Sequence, residues 1–269
     1  MRGASRASYA ELREQLTVVA PRKADAERVG DELFAVVRLL GNEHGLRRML
    51  ADPTKPPAEK AAVAGSLLHG KISSGTEDLV VRAVAARWAT PGDLSDAIEQ
   101  LAIEALTLAA QYGRALDDLE DDLFRFARLV SGQPALRSAL IGPSSPDEKA
   151  SLLADLLDGK VSAVSLKLIT QVLTYPRGRS PQAVLDLCAS IAADRRQQLV
   201  AVVRVAAELS PAQRQRLAAT LTETYGKRIH LNVVHDPAVV GGVSVQIGDE
   251  LVDGTVVSRL AEVQRKLAS

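Results

Sequence analysis

Gly65-Ser-Leu-Leu-His-Gly70-Lys71 is the stretch of this chain that comes nearest to a catalytic motif. It carries most of the glycine and lysine spacing of a loop that cradles phosphate through backbone N–H groups. Ile72 stands where such a loop needs a hydroxyl for Mg²⁺, and the flanks predict a helix rather than a strand entering a loop. Gly70 is therefore expected to end a helix. His44, His69, His230 and His235 are scattered, and the five-residue step between the last two puts them on opposite faces of a strand, so metal ligation is not expected. The acidic run from Asp117 to Asp122 has Leu119 within it and Leu116 and Leu123 beside it, the pattern of a solvated helix face. Cys188, among Leu185, Leu187 and Ile191, reads as a buried thiol, and a single cysteine cannot form an intrachain disulfide. No Ser, His and Asp set has a spacing diagnostic of a nucleophile. The expectation is a chain with no catalytic site, no cofactor and no metal of its own.

The composition limits the partners. Lys and Arg number 33 against 33 Asp and Glu, so no global field favours nucleic acid or an anionic membrane. No apolar run approaches the ~18 residues needed to span a bilayer, so direct membrane insertion is not expected. The opening Met-Arg-Gly-Ala-Ser-Arg-Ala-Ser is basic and Ser-rich, but Glu11 and Glu14 interrupt it, and it reads as the lead-in to a first helix rather than a transit peptide. Hydrophobic residues make up 46% of the 269 and aromatics only 3%, so the cores must be built from Ala, Leu and Val, a composition that favours helices. The many Ala residues and the excess of Arg over Lys suggest a GC-rich bacterial source.

An internal duplication organises the helices. Leu33, Val36, Leu40, Leu46, Leu50 and Pro53 recur as Leu123, Phe126, Val130, Leu136, Leu140 and Pro143, each displaced by 90 positions. After a one-residue deletion, Glu59-Lys60 matches Glu148-Lys149, Gly70-Lys71 matches Gly159-Lys160, and Leu79 matches Leu168. Ala154 takes the place of Gly65, which further weakens the phosphate-loop reading. Leucines alone could coincide, but the proline and the two pairs in order point to two copies of one helical unit. The first copy is expected over 1–111, with helices near 5–19, 22–40, 43–51, 57–69, 75–88 and 92–111. The second is expected over 92–197, sharing the helix 92–111 and adding helices near 114–131, 134–140, 147–158, 161–174 and 180–197. Leu94, Ile98, Leu101, Ala105, Leu108 and Tyr112 make a heptad-like stripe that resumes at Leu116 after a stutter beside Gly113. A helix running or kinking through Gly113 would join the two bundles.

The remaining 198–269 changes period. Gln198–Ala206 is β-rich, and Ser210-Pro211-Ala212-Gln213 has the N-cap, first-turn proline and capping-box glutamine of a helix start. Leu217, Leu221 and Tyr225 then share one helical face. Ile229, Leu231, Val233 and later Val243, Val245, Ile247 alternate as half-buried strands. Asp236-Pro237 and Gly241-Gly242 supply turn chemistry between them, Gly248-Asp249 a tight reversal, and Asp253-Gly254 the exit to a terminal helix with Leu260, Val263 and Leu267. The fold class is mainly α, two tandem helical bundles followed by a C-terminal α/β unit of strand, helix, strand, hairpin and helix.

The ordered set Asp236-Pro237, Gly241-Gly242, an alternating strand, Gly248-Asp249, Asp253-Gly254 and Arg259-Leu260 resembles the C-terminal pattern of the F-type ATP synthase delta subunit, the family of the mitochondrial oligomycin-sensitivity-conferring protein. Thr255 stands where serine is usual, and Ser8-Tyr9-Ala10 resembles the opening of the family's first helix. The resemblance implies a non-catalytic stator subunit, on the cytoplasmic face of a bacterial membrane, joining the catalytic head to the peripheral stalk. It implies as partners the N-terminal helix of the alpha subunit, held by a helical bundle, other head subunits, and a b-type stalk subunit, engaged by the C-terminal region. The ordinary member has one bundle, so the second copy is a departure whose contacts the resemblance leaves open. The competing reading is a helical adaptor for amphipathic helices of unrelated partners, which has no reason to carry the 236–255 pattern.

Overall fold

The computed structural model describes residues 3–196, 198–206, 209–226, 228–236, 239, 243–247 and 250–253. The chain divides between Ala193 and Asp194 into two compact units, the first helical and the second α/β.

In the helical unit, α1 (Ala4–Val19), α2 (Lys23–Asn42), α3 (His44–Ala51), α4 (Pro57–Leu68), α5 (Ser74–Ala85) and α6 (Pro91–Tyr112) make the first copy. Helices α7 (Leu116–Gly132), α8 (Pro134–Ile141), α9 (Pro146–Leu157), α10 (Ala163–Thr174) and α11 (Pro181–Arg196) repeat the order from α2 onward. Local chemistry sets the ends. Pro57, Pro91, Pro134 and Pro146 sit in the first turns of their helices, where an N–H would have no intrahelical acceptor. Thr90 with Asp93, and Ser145 with Glu148, form reciprocal capping boxes. Gly70 (φ 71°) and Gly159 (φ 67°) adopt the left-handed conformation just beyond α4 and α9, matching termini in the two copies.

The joint between the copies differs from the expected continuous or kinked helix. The Ala115 N–H donates to Ala110 O at 2.8 Å and the Arg114 N–H to Gln111 O at 3.1 Å, a Schellman closure that stops α6. The left-handed residue is Arg114 (φ 55°), while Gly113 keeps an ordinary φ of −82°. The glycine therefore marks the break without supplying its unusual conformation.

Helix α6 is buried on all sides, from Leu94 and Ala97 through Leu101, Ile103 and Leu106 to Ala110. It packs on α1, α2, α3 and α5 of its own copy and on α7 and α10 of the second. One hydrophobic core consequently runs through both copies, from Leu12 to Ala192. With few aromatics available, the helices approach closely. A Cβ on Gly30 of α2 would lie 2.8 Å from Leu106 Cδ2 of α6.

The second unit is built from β1 (Gln198–Val205), α12 (Pro211–Tyr225), β2 (Arg228–His235), β3 (Val243–Ile247) and β4 (Glu250–Asp253). The sheet order is β2-β1-β3-β4, with β1 and β2 parallel and the other neighbours antiparallel. In register, Ala201 faces Leu231 and Ile247, and Val203 faces Val233 and Val245. These residues lie in one core with Leu217, Leu221 and Tyr225 of α12. The expected capping box is present: Ser210 Oγ accepts from the Gln213 N–H at 3.2 Å, and Gln213 Oε1 accepts from the Ser210 N–H at 2.8 Å.

Candidate functional site

The C-terminal motif is anchored where β2 leaves the sheet. Asp236 donates its N–H to Val205 O at 2.9 Å, tying the end of β2 to the end of β1, and its carbonyl accepts the Val239 N–H at 3.1 Å. Asp253 closes β4 opposite Ser244 of β3. Pro237, Gly241, Gly242, Gly248, Asp249, Gly254, Thr255, Arg259, Leu260 and the expected terminal helix lie outside the described residues. Strands β2 and β3 follow each other in the chain but flank β1 on opposite sides, so the two ordered halves of the motif are joined through β1.

The helical unit uses its carboxylates to hold helices together. Glu32 of α2 accepts from the Ser73 N–H at 2.9 Å, from Ser73 Oγ at 2.6 Å and from Thr76 Oγ1, fixing the start of α5. In the second copy Asp122 of α7 accepts from the Ser162 N–H at 3.0 Å, and the hydroxyls of Ser162 and Ser165 lie 2.7 Å apart at the start of α10. The clamp has been duplicated with the helices. Most of the acidic run is solvated as expected: Asp117, Asp118 and Asp121 are exposed, whereas Asp122 is buried in this clamp. Its only sequence signal was the match of Glu32 to Asp122 at the repeat spacing. Buried Glu99 of α6 is held by Arg177 at 2.7 Å and by Arg179, a pair of long-range contacts with no local signature.

The phosphate-loop-like stretch has the wrong polarity. Gly65 to Leu68 lie inside α4, and Gly70 follows its C-terminus, where carbonyls rather than N–H donors face outward. Cys188 is fully buried, and burial, with Glu99 nearby, pushes its thiol well above the usual range. Among the described residues there is no group of three or more potential metal-ligating side chains, and no helix is long and apolar enough to cross a membrane.

The family model for the ATP synthase delta (OSCP) subunit matches residues 103–267, from within α6 to near the end of the chain. The ATP synthase subunit delta of Thermobifida fusca is 45% identical over 269 residues, covering 100% of both chains. That of Streptomyces griseus is 45% identical over 270 residues, again with 100% of both chains covered. That of Streptomyces avermitilis is 44% identical, covering 99% of this chain and 98% of its own. The first helical copy lies almost wholly before the family-model match, yet these relatives align across it. On this likeness, and on the motif and duplicated helices that accompany it, the chain belongs to the ATP synthase delta (OSCP) subunit family.

Proposed function

We propose that this chain is a non-catalytic stator subunit of a proton-translocating F-type ATP synthase, peripheral on the cytoplasmic face of a bacterial membrane. Its task is to fasten the catalytic head to the peripheral stalk so that rotor torque drives ATP synthesis. The observation that carries the reading is the end-to-end likeness to proteins named ATP synthase subunit delta. In this reading the helical unit, as two tandem bundles sharing α6, receives the amphipathic N-terminal helix of the alpha subunit by a helix-in-groove contact. The C-terminal unit, with the motif from Asp236 to Leu260, engages the b-type stalk subunit. Resisting torque favours several linked contacts over a single tight one, because tethering raises the effective concentration of each. A duplicated bundle adds contact surface of that kind.

Affinity purification from detergent-solubilised native membranes tests the role: ATP synthase subunits at fixed stoichiometry are expected, and capture of soluble unrelated partners alone would overturn it. A chain ending at residue 197 tests the division of labour. It should hold the head yet fail to couple it, so membranes carrying it shed ATPase activity in a low-salt wash. Normal retention and synthesis would remove the stalk assignment from the C-terminal unit.

A further inference from the structure

An open cleft lies on the helical unit where the start of α3, the first turns of α6 and the connection from α10 to α11 meet. His44, Arg47, Arg48, Gly92, Ser95 and Arg177 line it. Helix α3 presents His44, Arg47 and Arg48 within little more than one turn. None of the three has an ion-pair partner among the described residues, and Arg47 Nη1 donates to the Leu40 carbonyl at 3.4 Å. Arg177 is already held by Asp96 at 2.9 Å and Glu99 at 2.7 Å, so it frames the cleft without bringing free charge.

Helix α6 brings its N-terminus to the same place. Its first residue, Pro91, has no N–H and the Asp93 N–H is bonded to Thr90 O at 3.1 Å, which leaves the Gly92 N–H of the first turn to favour an anion. Gly92 offers backbone without a side chain, and a Cβ there would meet nothing nearer than Thr90 Oγ1 at 3.8 Å. The acidic residue of that turn, Asp93, is engaged by Ser5 Oγ at 2.6 Å and by the Thr90 N–H at 3.3 Å.

Ser95 is the second, independent sign. It is only 2% exposed, lines the cleft, and its Oγ has no hydrogen-bond partner among the described residues. A buried hydroxyl left unpaired costs stability. Aligning the copies on Pro91 and Pro181, the counterpart of Ser95 is Leu185, and at the repeat spacing the counterpart of Arg48 is Ser138. The repeated fold thus needs neither the hydroxyl nor the second arginine.

We infer that this cleft binds a phosphate group, held by Arg47, Arg48, the N-terminus of α6 and the Ser95 hydroxyl. Guanidinium forks, the Gly92 backbone N–H and a hydroxyl suit a tetrahedral anion with several acceptor oxygens better than a carboxylate with two. The group can come from a free phosphate compound or from a lipid headgroup. This inference is independent of the stator reading, since it rests on the isolated chain.

Titration of the full chain with inorganic pyrophosphate at low ionic strength, followed by calorimetry, tests it. Saturable one-to-one binding is expected, weakened about 10-fold or more by Arg48→Gln, which loses a charge-assisted hydrogen bond. Ser95→Ala should weaken it several-fold while leaving the melting temperature of the free protein unchanged or raised. Arg82→Gln, an exposed arginine paired with Asp78 outside the cleft, should leave it within about 2-fold, a change too small to represent a lost contact. Potassium acetate at matched ionic strength should not compete. Co-sedimentation with phosphatidylglycerol vesicles identifies the source: vesicle binding lost in Arg48→Gln and competed by pyrophosphate marks a headgroup, and pyrophosphate binding without vesicle binding marks a free compound. Absence of saturable binding, equal loss in Arg82→Gln, or binding unaffected by both Arg48→Gln and Ser95→Ala would overturn the inference.

Discussion

Removal of the Glu32 carboxylate takes the acceptor from the Ser73 N–H and from the hydroxyls of Ser73 and Thr76 at the start of α5, leaving the two hydroxyls, 3.0 Å apart, to bond each other. Hydrogen bonds to a charged acceptor contribute about 1.5–3 kcal/mol each before relaxation and water compensate. Glu32→Ala should therefore destabilise the helical unit by about 2–3 kcal/mol in urea unfolding. Asp122→Ala should cost less, about 1–2 kcal/mol, because one backbone donor and the exposed Arg125 lose their acceptor. A larger effect for Asp122 would show that the two clamps do not share one role. At Asp93 the bond from Ser5 Oγ, helped by Thr90 and opposed by burial, holds the carboxyl below the usual aspartate range. A carboxylate whose pKa is lower folded than unfolded stabilises the fold above the unfolded value and loses that contribution as pH falls through the folded value. The stability gap between the native chain and Asp93→Asn should thus be full near neutrality and shrink below about pH 4. A gap that does not change with pH in urea titrations would refute the charged form as its source.

Two glycines within helices predict opposite outcomes at the scale of elements. Gly65 of α4 has its nearest neighbour, Val81 Cγ2, 3.8 Å from a built Cβ, and the second copy carries Ala154 at that place. Gly65→Ala should stabilise by up to about 1 kcal/mol through helix propensity. Gly30 of α2 faces Leu106, whose fully buried side chain would lie within 2.8 Å. Gly30→Ala gains the same propensity but forces α2 from α6, at about 1–3 kcal/mol of overpacking, so a net loss is expected. Thermal unfolding of the two variants side by side checks the signs. Most elements were legible because their punctuation is local: a proline in the first turn, Ser or Thr before it, a glycine after the last turn. The joint was less legible. Gly113 identified a break, but the left-handed conformation fell to Arg114, since a Schellman closure is set by which carbonyls the following N–H groups can reach.

Across the whole helical unit, the copies are bound through α6 and also through α2 and α10. Lys167 of α10 pairs with Asp31 of α2 at 2.8 Å, Arg38 donates to Gln171 at 2.7 Å, and the Arg38 guanidinium lies 5.3 Å from the centre of the Tyr175 ring. Excised alone, 92–197 should remain helical but bare the faces of α6 that α1 and α2 cover. Concentration-dependent association in sedimentation velocity is expected for it, and not for 1–197. A monodisperse monomer would show that the first copy is not needed to cover that surface.

Sequence by itself determined the order of the helices, the alternation of the described strands and the family, because each rests on contacts within a few residues or on ordered spacing. The candidate site was legible in the same way only as a motif along the chain; eight of its ten residues lie outside the described residues, and of the other two Asp236 ties the end of β2 to β1 and Asp253 ends β4. Tertiary structure decided the rest. That β1 lies between β2 and β3 follows from the parallel pairing across α12, which alternation alone cannot distinguish from a simple meander. That α6 is buried on every face follows from its packing by both copies, although its stripe predicted only one seam. Residues 41 and 133 apart in the chain, Glu32 with Ser73 and Arg38 with Gln171, meet only after folding, and so do Arg48 and Ser95 at the cleft. Periodicity records which way a side chain faces along its own helix or strand; which neighbour it then meets depends on how the helices and strands pack.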